Sequence, residues 1–141
     1  MILVSHRGNI NGRIPERENE PKYIEKTMQQ GFEVEVDVWY INHKLYLGHD
    51  KPNHMVPNEF LKKKQILFHA KNKEALFYLK EQGAHVFWHQ DDKYTMTSKG
   101  LIICHPFSDP IPGSLFMLPE LENREYDNCY AICSDFIINY R

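Results

Sequence analysis

The sequence predicts an α/β fold with a mainly parallel sheet, in one domain that spans residues 1–141. Two observations carry this prediction. Apolar runs of strand length alternate with helical patterns, and polar residues follow several of these runs at their carboxyl ends. The length of 141 residues and the 42% hydrophobic content are those of one ordinary globular domain. They exclude a disordered or collagen-like chain.

Eight apolar runs have the length of β-strands. In chain order they cover residues 2–5, 32–40, 45–47, 66–70, 85–88, 101–104, 115–118 and 130–138. Most are separated by turn residues or by helical patterns, which is the order of elements expected for parallel strands joined by crossovers.

Helices are predicted between the strands from their end signals. Pro21 stands near a first turn, and the helical spacing that follows it ends before Gly31. A second helix is predicted over residues 73–82, before Gly83. Two shorter helices are predicted over residues 57–64 and 91–98.

Charge and cysteine content restrict the partners and the compartment. Seventeen Lys and Arg against nineteen Asp and Glu give a formal net charge of −2, so no basic field favours nucleic acid or anionic membranes. No apolar run approaches the roughly 20 residues of a membrane span, and we expect a cytoplasmic protein without a stable membrane anchor. Cys104, Cys129 and Cys133 lack the C-x-x-C spacing and are predicted as buried, reduced packing residues.

Residues suited to chemistry follow the apolar runs at their carboxyl ends. They are His6-Arg7, Asp37, His69 to Lys71, His89, His105, Glu120 and Asp135. In parallel α/β folds the loops at the carboxyl ends of the strands build the active site. The pattern therefore indicates one shared polar site, while ordinary solvation of strand ends explains part of it.

The second predicted strand carries three acids on one face. Side chains alternate along a strand, so Glu33, Glu35 and Asp37 point to the same side. Two interpretations are open. Either this is the solvent-exposed face of an antiparallel strand, or Glu35 and Asp37 converge on a divalent cation, because adjacent carboxylates repel each other unless a cation or a shared proton compensates them.

The strand over residues 66–70 places His69 on the same face as Lys71, which follows it directly. A cationic Lys beside an imidazole suits the binding of an anionic group. The alternative is that Lys71 ends the strand in water.

Several motifs occur together in the first 50 residues. They are His6-Arg7-Gly8, Glu18-Asn19, Gly31, Glu35-Val36-Asp37 and Gly48-His49-Asp50. Their order and spacing resemble the glycerophosphodiester phosphodiesterases, of the phospholipase-C-like phosphodiesterase superfamily. His69-Ala70-Lys71 occupies the place of that family's E-x-K or D-x-K strand, and Ile132 to Phe136 is similar to its last-strand T-D-Y segment. Residues 72–130 show no specific resemblance.

The resemblance implies a metal-dependent phosphodiesterase that hydrolyses a glycerophosphodiester or another small phosphodiester. The implied roles are a general acid and base pair in His6 and His49, metal ligands in Glu35 and Asp37, and phosphate contacts in Arg7 and Lys71. A cation with basic side chains stabilises the negative charge of the reacting phosphodiester, while two imidazoles move protons near neutral pH.

This chain departs from the family pattern at its third metal ligand. His69 stands where the family has an acid, so we expect Mn²⁺ or Zn²⁺ to compete with Mg²⁺ or Ca²⁺ as the cofactor. Glu33 or Glu120 are alternative sources of the missing carboxylate.

The second departure is size. A (β/α)₈ barrel typically takes about 250 residues, and the resemblance therefore implies a compact or truncated (β/α) TIM-like barrel with reduced helices and an open site. Two other functions use the same motifs. One is a non-catalytic barrel relative that binds a phosphorylated ligand or a protein partner, and the other is a lyase that releases a cyclic phosphate.

Overall fold

Ten strands and two α-helices make up the computed structural model, which describes all 141 residues. The strands are β1 (Ile2–His6), β2 (Glu33–Ile41), β3 (Lys44–Leu47), β4 (His54–Val56), β5 (Ile66–Ala70), β6 (Val86–Phe87), β7 (Tyr94–Met96), β8 (Ile102–Cys104), β9 (Leu115–Met117) and β10 (Ala131–Ser134). The α-helices are α1 (Pro21–Gln29) and α2 (Lys73–Glu81), and 3₁₀ helices cover Asn58–Lys62, Pro119–Leu121 and Ile137–Tyr140. The prediction of an α/β fold is confirmed.

All ten strands belong to one sheet, most of which is parallel. Six parallel ladders join seven strands in the order β6-β5-β2-β1-β10-β9-β8. Antiparallel ladders add β3 and β4 beside the end of β2, and β7 beside β8. From β1 to β6 and from β8 to β10 the parallel strands follow chain order, and β10 pairs with β1. No ladder joins β6 to β8, so the sheet is not a closed barrel.

Both faces of the parallel strands are apolar over part of their length. On one face Val34, Val36 and Val38 of β2 pack against Ile24 of α1 and Leu79 of α2. The opposite face carries a second cluster, which consists of Val4, Leu67, Phe87, Ile103, Leu115, Met117, Ala131 and Cys133. We call the face with this second cluster the inner face. Strands covered on both faces are typical of parallel sheets.

The helix ends follow the predicted signals. Pro21 occupies the first turn of α1, and the helix ends two residues before Gly31, whose φ of 92° suits a residue without a Cβ. Asn72 caps α2 by accepting a hydrogen bond from the backbone N–H of Ala75 at 3.0 Å. The same side chain also bonds both backbone groups of Tyr40, so it joins α2 to the end of β2.

Four segments differ from the sequence prediction. The helix predicted over residues 91–98 is wrong, because Tyr94–Met96 forms β7 and hydrogen-bonds with β8. The next strand along the chain, β8, supplies those bonds as the other half of an antiparallel hairpin, and helical periodicity does not report it. The helix over 57–64 is a 3₁₀ helix at Asn58–Lys62, the run over 130–138 leaves the sheet after Ser134, and His54–Val56 is an additional strand.

Two further expectations concern the cysteines and the membrane. All three cysteines are free, with Cys104 and Cys133 buried as predicted, whereas Cys129 is partly exposed. Neither α-helix has the length and apolar character needed to cross a bilayer.

Replacing Asn72 tests how α2 is attached to the sheet. We expect Asn72→Ala to lower the free energy of unfolding by about 2 kcal/mol, because it removes a helix cap and the bonds to Tyr40. Asn72→Asp keeps the accepting oxygen and is expected to lose less. Urea denaturation of both variants and the wild type measures the difference. A loss below about 0.5 kcal/mol in Asn72→Ala would contradict the assignment.

Candidate active site

A repeated pattern on the inner face brings titratable side chains to one edge of the sheet. In six strands a residue on this face is followed, two positions later, by a His or Asp near the carboxyl end of the strand or of its parallel ladder. The pairs are Val4 and His6, Glu35 and Asp37, Leu67 and His69, Phe87 and His89, Ile103 and His105, and Cys133 and Asp135. Residues i and i+2 share a face, and parallel strands end at the same edge. The predicted shared polar site therefore has a structural basis.

The two acids of β2 lie inside the protein. Glu35 is 1% exposed and Asp37 is 0% exposed. The segment that carries them pairs in parallel with β1 on one side and with β5 on the other, so the interpretation as a solvent-exposed antiparallel face is wrong. This register sets His6 opposite Glu35 and His69 opposite Asp37.

Glu35, Asp37 and His69 converge around one point. One potential ligand atom from each lies within 4.8 Å of the others. Nδ1 of His69 is 3.2 Å from Oδ1 of Asp37 and 3.7 Å from Oε1 of Glu35. The three residues predicted as metal ligands are therefore neighbours in space, although they come from two strands.

The donor atoms of this cluster fit a divalent cation. Oε2 of Glu35, Oδ1 of Asp37 and Nε2 of His69 are buried without a hydrogen-bond partner. A buried polar atom without a partner costs about 1–3 kcal/mol, which a bound ion would offset. Two carboxylates with one imidazole are ligands that Mg²⁺, Mn²⁺ and Zn²⁺ accept. Glu33 and Glu120 do not join the cluster.

Arg7 and Asn19 hold the other oxygen of Asp37. Nε of Arg7 lies 2.9 Å from Oδ2 of Asp37 and forms an ion pair with it, although the angles are not those of a hydrogen bond. Nη1 of Arg7 donates a hydrogen bond to Glu18 at 3.2 Å. Asn19 donates to the same Oδ2 at 2.9 Å and accepts from the backbone N–H of Asp37. Arg7 and Asn19 both have positive φ, a backbone conformation that is uncommon for residues other than Gly.

The environments of the two acids separate their pKa values. Burial and the neighbouring charge of Asp37 raise the pKa of Glu35 above its ordinary value. Burial also disfavours ionised Asp37, but the adjacent imidazole of His69 and the Arg7 charge hold the pKa of Asp37 well below its usual range. Without a cation, one acid is therefore ionised and its neighbour resists ionisation.

His6 is oriented by the carboxylate of Asp135, the residue that follows the last strand of the sheet. Its Nδ1 donates to Oδ1 of Asp135 at 2.8 Å, and the same oxygen accepts from Asn9 at 2.8 Å. Nε2 of His6 lies 3.7 Å from Oε2 of Glu35. Burial lowers the pKa of His6, but the Asp135 hydrogen bond and the Glu35 charge outweigh burial, and the pKa is raised.

His49 lies on the rim of the site, in the loop after β3. It is exposed, and its Nδ1 donates to Oδ1 of Asp50 at 2.7 Å. Gly48 fixes this loop to β2, since its N–H donates to the carbonyl of Asp37 and its carbonyl accepts from the indole of Trp39. A polar cavity of about 170 Å³ next to this loop is lined by both His49 and Arg7.

Lys71 directly follows β5 and is partly buried. Its backbone N–H donates to the carbonyl of Val38 at 2.8 Å, which continues the pairing of β5 with β2. Its ammonium forms no ion pair with a carboxylate. A phosphate contact by Lys71 stays a prediction.

The predicted site residues omitted Asp135, the partner of His6, and Asn9, which donates to Asp135. Asp135 is among the polar strand ends, and its place two residues after the inner-face Cys133 is the signal that could have identified it. Asn9 lies in a loop and joins Asp135 to Glu18 through its amide. No spacing rule indicates such a contact.

A stack of aromatic rings continues the site beyond His69. The ring of His69 stacks on Phe87 with centroids 4.6 Å apart, and the rings of His89 and His105 stack at 3.5 Å. Nε2 of His105 is hydrogen-bonded to the hydroxyl of Thr95 at 2.8 Å. Burial, together with the charges of His89 and His69, lowers the pKa of His105 to about 3. His105 is therefore a neutral imidazole at neutral pH.

Comparisons with protein-family models, with curated proteins and with solved structures find no match for this chain.

The depressed pKa of His105 predicts a dependence of stability on pH. Between the unfolded-state pKa of about 6.5 and the folded-state pKa of about 3, the unfolded chain binds a proton that the folded chain does not. The free energy of unfolding should therefore fall as the pH drops below about 6.5. His105→Gln, which can keep the bond to Thr95, should lose less stability between pH 7 and pH 5 than the wild type in urea denaturation.

The exposed His43 on the turn between β2 and β3 offers a matched control. His43→Gln should leave the pH dependence of the wild type unchanged. Equal pH dependence in His105→Gln and the wild type would contradict the role of His105.

Proposed function

We propose that this protein is a metal-dependent phosphodiesterase that hydrolyses a glycerophosphodiester or another small phosphodiester. The observation that carries the proposal is the convergence of Glu35, Asp37 and His69 beside His6 and Arg7. A cation site, a cationic guanidinium and an oriented imidazole at one edge of a sheet are the components that phosphodiester cleavage needs.

We further propose that the fold is a truncated (β/α) TIM-like barrel of the phospholipase-C-like phosphodiesterase superfamily, with reduced helices. The winding of the parallel strands in chain order, with β10 beside β1, supports it. The inner face, with an apolar cluster below and titratable side chains at the carboxyl ends, is also what a barrel interior requires. The missing ladder between β6 and β8 agrees with an incomplete barrel.

Glu35, Asp37 and His69 would hold the cation. A bound divalent ion supplies electrostatic stabilisation of the negative charge that develops on the phosphodiester. Mg²⁺ and Ca²⁺ suit the carboxylates, and the imidazole of His69 adds affinity for Mn²⁺ or Zn²⁺. Arg7 fixes the orientation of Asp37 and places a positive charge beside the cluster. Lys71 is proposed as the second cation that contacts the phosphate.

His6 and His49 are proposed as the acid and base pair. Each has a carboxylate on Nδ1, which leaves Nε2 as the nitrogen that exchanges a proton with the substrate. One imidazole removes a proton from the attacking water, and the other donates a proton to the leaving alkoxide oxygen. The lyase alternative replaces water by a hydroxyl of the substrate, with the same two imidazoles.

Metal titration tests the cluster without knowledge of the substrate. We expect Mn²⁺ or Zn²⁺, and more weakly Mg²⁺ or Ca²⁺, to bind the metal-free protein with one ion per chain in calorimetry. Asp37→Asn should weaken binding by at least about tenfold, because it removes one anionic ligand. Asp109→Asn replaces an exposed acid outside the cluster and serves as the control. Equal binding by Asp37→Asn and the wild type would contradict the metal site.

Activity assays test the two imidazoles. His6→Ala and His49→Ala should each lower the rate of glycerophosphocholine cleavage by about 10²–10⁴-fold while the circular dichroism spectrum is unchanged. His43→Ala is the control for an exposed histidine. Phosphorus NMR of the product separates a phosphomonoester, as expected from hydrolysis, from the cyclic phosphate of a lyase. Wild-type rates in either variant would exclude the acid and base assignment, and metal binding without any turnover would favour a non-catalytic phosphate-binding protein.

A further inference from the structure

A second cavity lies at the opposite end of the sheet from the acid and histidine cluster. Its volume is about 490 Å³, within the range of about 300–1,000 Å³ for small-molecule sites. Its apolar wall comes from the first residues of the parallel strands or from residues just before them. They are Ile2, Val4, Leu67, Leu101, Leu115 and Ala131.

This cavity continues the inner-face cluster, since Val4, Leu67, Leu115 and Ala131 belong to both. Gly100 and Gly113 line it without side chains, and a Cβ at either position would meet no atom within 4 Å. The cavity is therefore open beside these two glycines. Replacing the water in such a cavity by an apolar group is favourable, because it removes apolar surface from water.

Positive charge is concentrated beside the cavity. Lys64 and Lys99 line it, and an adjoining groove of about 380 Å³ shares both residues and adds Lys62 and Lys63. None of these four lysines forms an ion pair. Glu33 is the one acid in either lining, whereas the whole chain has an excess of acids. This end of the protein therefore attracts anions.

We propose that the cavity binds a single-chain amphiphile with an anionic headgroup, with its alkyl chain against the apolar wall and its headgroup at Lys64 and Lys99. The apolar wall requires an alkyl segment, and the unpaired lysines require a negative head. Val4, Leu67, Leu115 and Ala131 are buried, and Ile2 and Leu101, which also line the cavity, are partly exposed. A single chain can enter such a cavity, whereas a flat bilayer surface cannot reach its wall.

The site is independent of the proposed phosphodiesterase centre, because the two share no residue. Asp37→Asn should therefore bind the amphiphile as the wild type does. This variant separates a failure of the present proposal from a failure of the proposed function.

Dodecanoate below its critical micelle concentration is the probe. Calorimetry at low ionic strength should show one molecule bound per chain, with affinity that falls as salt is added. Lys64→Gln with Lys99→Gln should weaken binding by about three- to tenfold, because two exposed cations are lost. Lys22→Gln with Lys44→Gln removes the same charge at exposed positions outside the cavity and should bind as the wild type does.

The apolar wall is tested in two ways. Hexanoate should bind the wild type more than about tenfold more weakly than dodecanoate, since six methylene groups are missing. Ala131→Leu narrows the cavity and should abolish dodecanoate binding in protein that still unfolds cooperatively. The hexanoate comparison uses the wild-type protein, so it tests the contribution of the apolar wall even if Ala131→Leu does not fold.

Four results would overturn the proposal. They are absence of saturable dodecanoate binding, equal affinity in the double lysine variant, equal affinity for hexanoate or for uncharged dodecyl maltoside, and capture by anionic phospholipid vesicles without binding of free dodecanoate. The last result would indicate a membrane surface in place of a cavity for a single chain.

Discussion

The burial of Glu35 and Asp37 is the constraint on which this end of the protein depends. Two carboxylates two residues apart on one strand repel each other. Burying both without compensating partners would lower the stability of the folded protein. Compensation comes from both sides of β2. Arg7 and Asn19 in the loop after β1 bind Asp37, and His69 on β5 faces both acids. The loop conformation and the register of three strands are thus linked through two side chains.

The inner face divides into two chemically different ends. Near the amino ends of the strands it is apolar and lines a cavity beside unpaired lysines, and at the carboxyl ends it carries histidines and acids. The alternation of side chains along a strand produces this division, because a step of two residues changes the depth but not the face. Along β1, Ile2 lines the cavity, Val4 belongs to the apolar cluster and His6 lies in the candidate active site.

Short connections replace most of the helices that a parallel sheet ordinarily uses. α1 and α2 cover β2 and its neighbours, whereas the segments between β8, β9 and β10 contain no α-helix. The outer side of β10 is covered instead by the 3₁₀ helix at the end of the chain, where Ile137 packs with Ile132 and Phe32. A chain of 141 residues can cover a sheet in this way, and in this fold the sheet is left open between β6 and β8.

The sequence by itself determined the α/β class, the ends of α1 and α2, and the common face of Glu35 and Asp37, because periodicity and capping report local backbone geometry. Tertiary structure decided which groups meet. Asp135 reaches His6 across 129 positions of the chain, and the edge of β8 turns a predicted helix into β7. The cavity beside Lys64 likewise forms only when the strands assemble into the sheet. Such contacts depend on strand register and loop closure, which leave no periodic signal in the sequence.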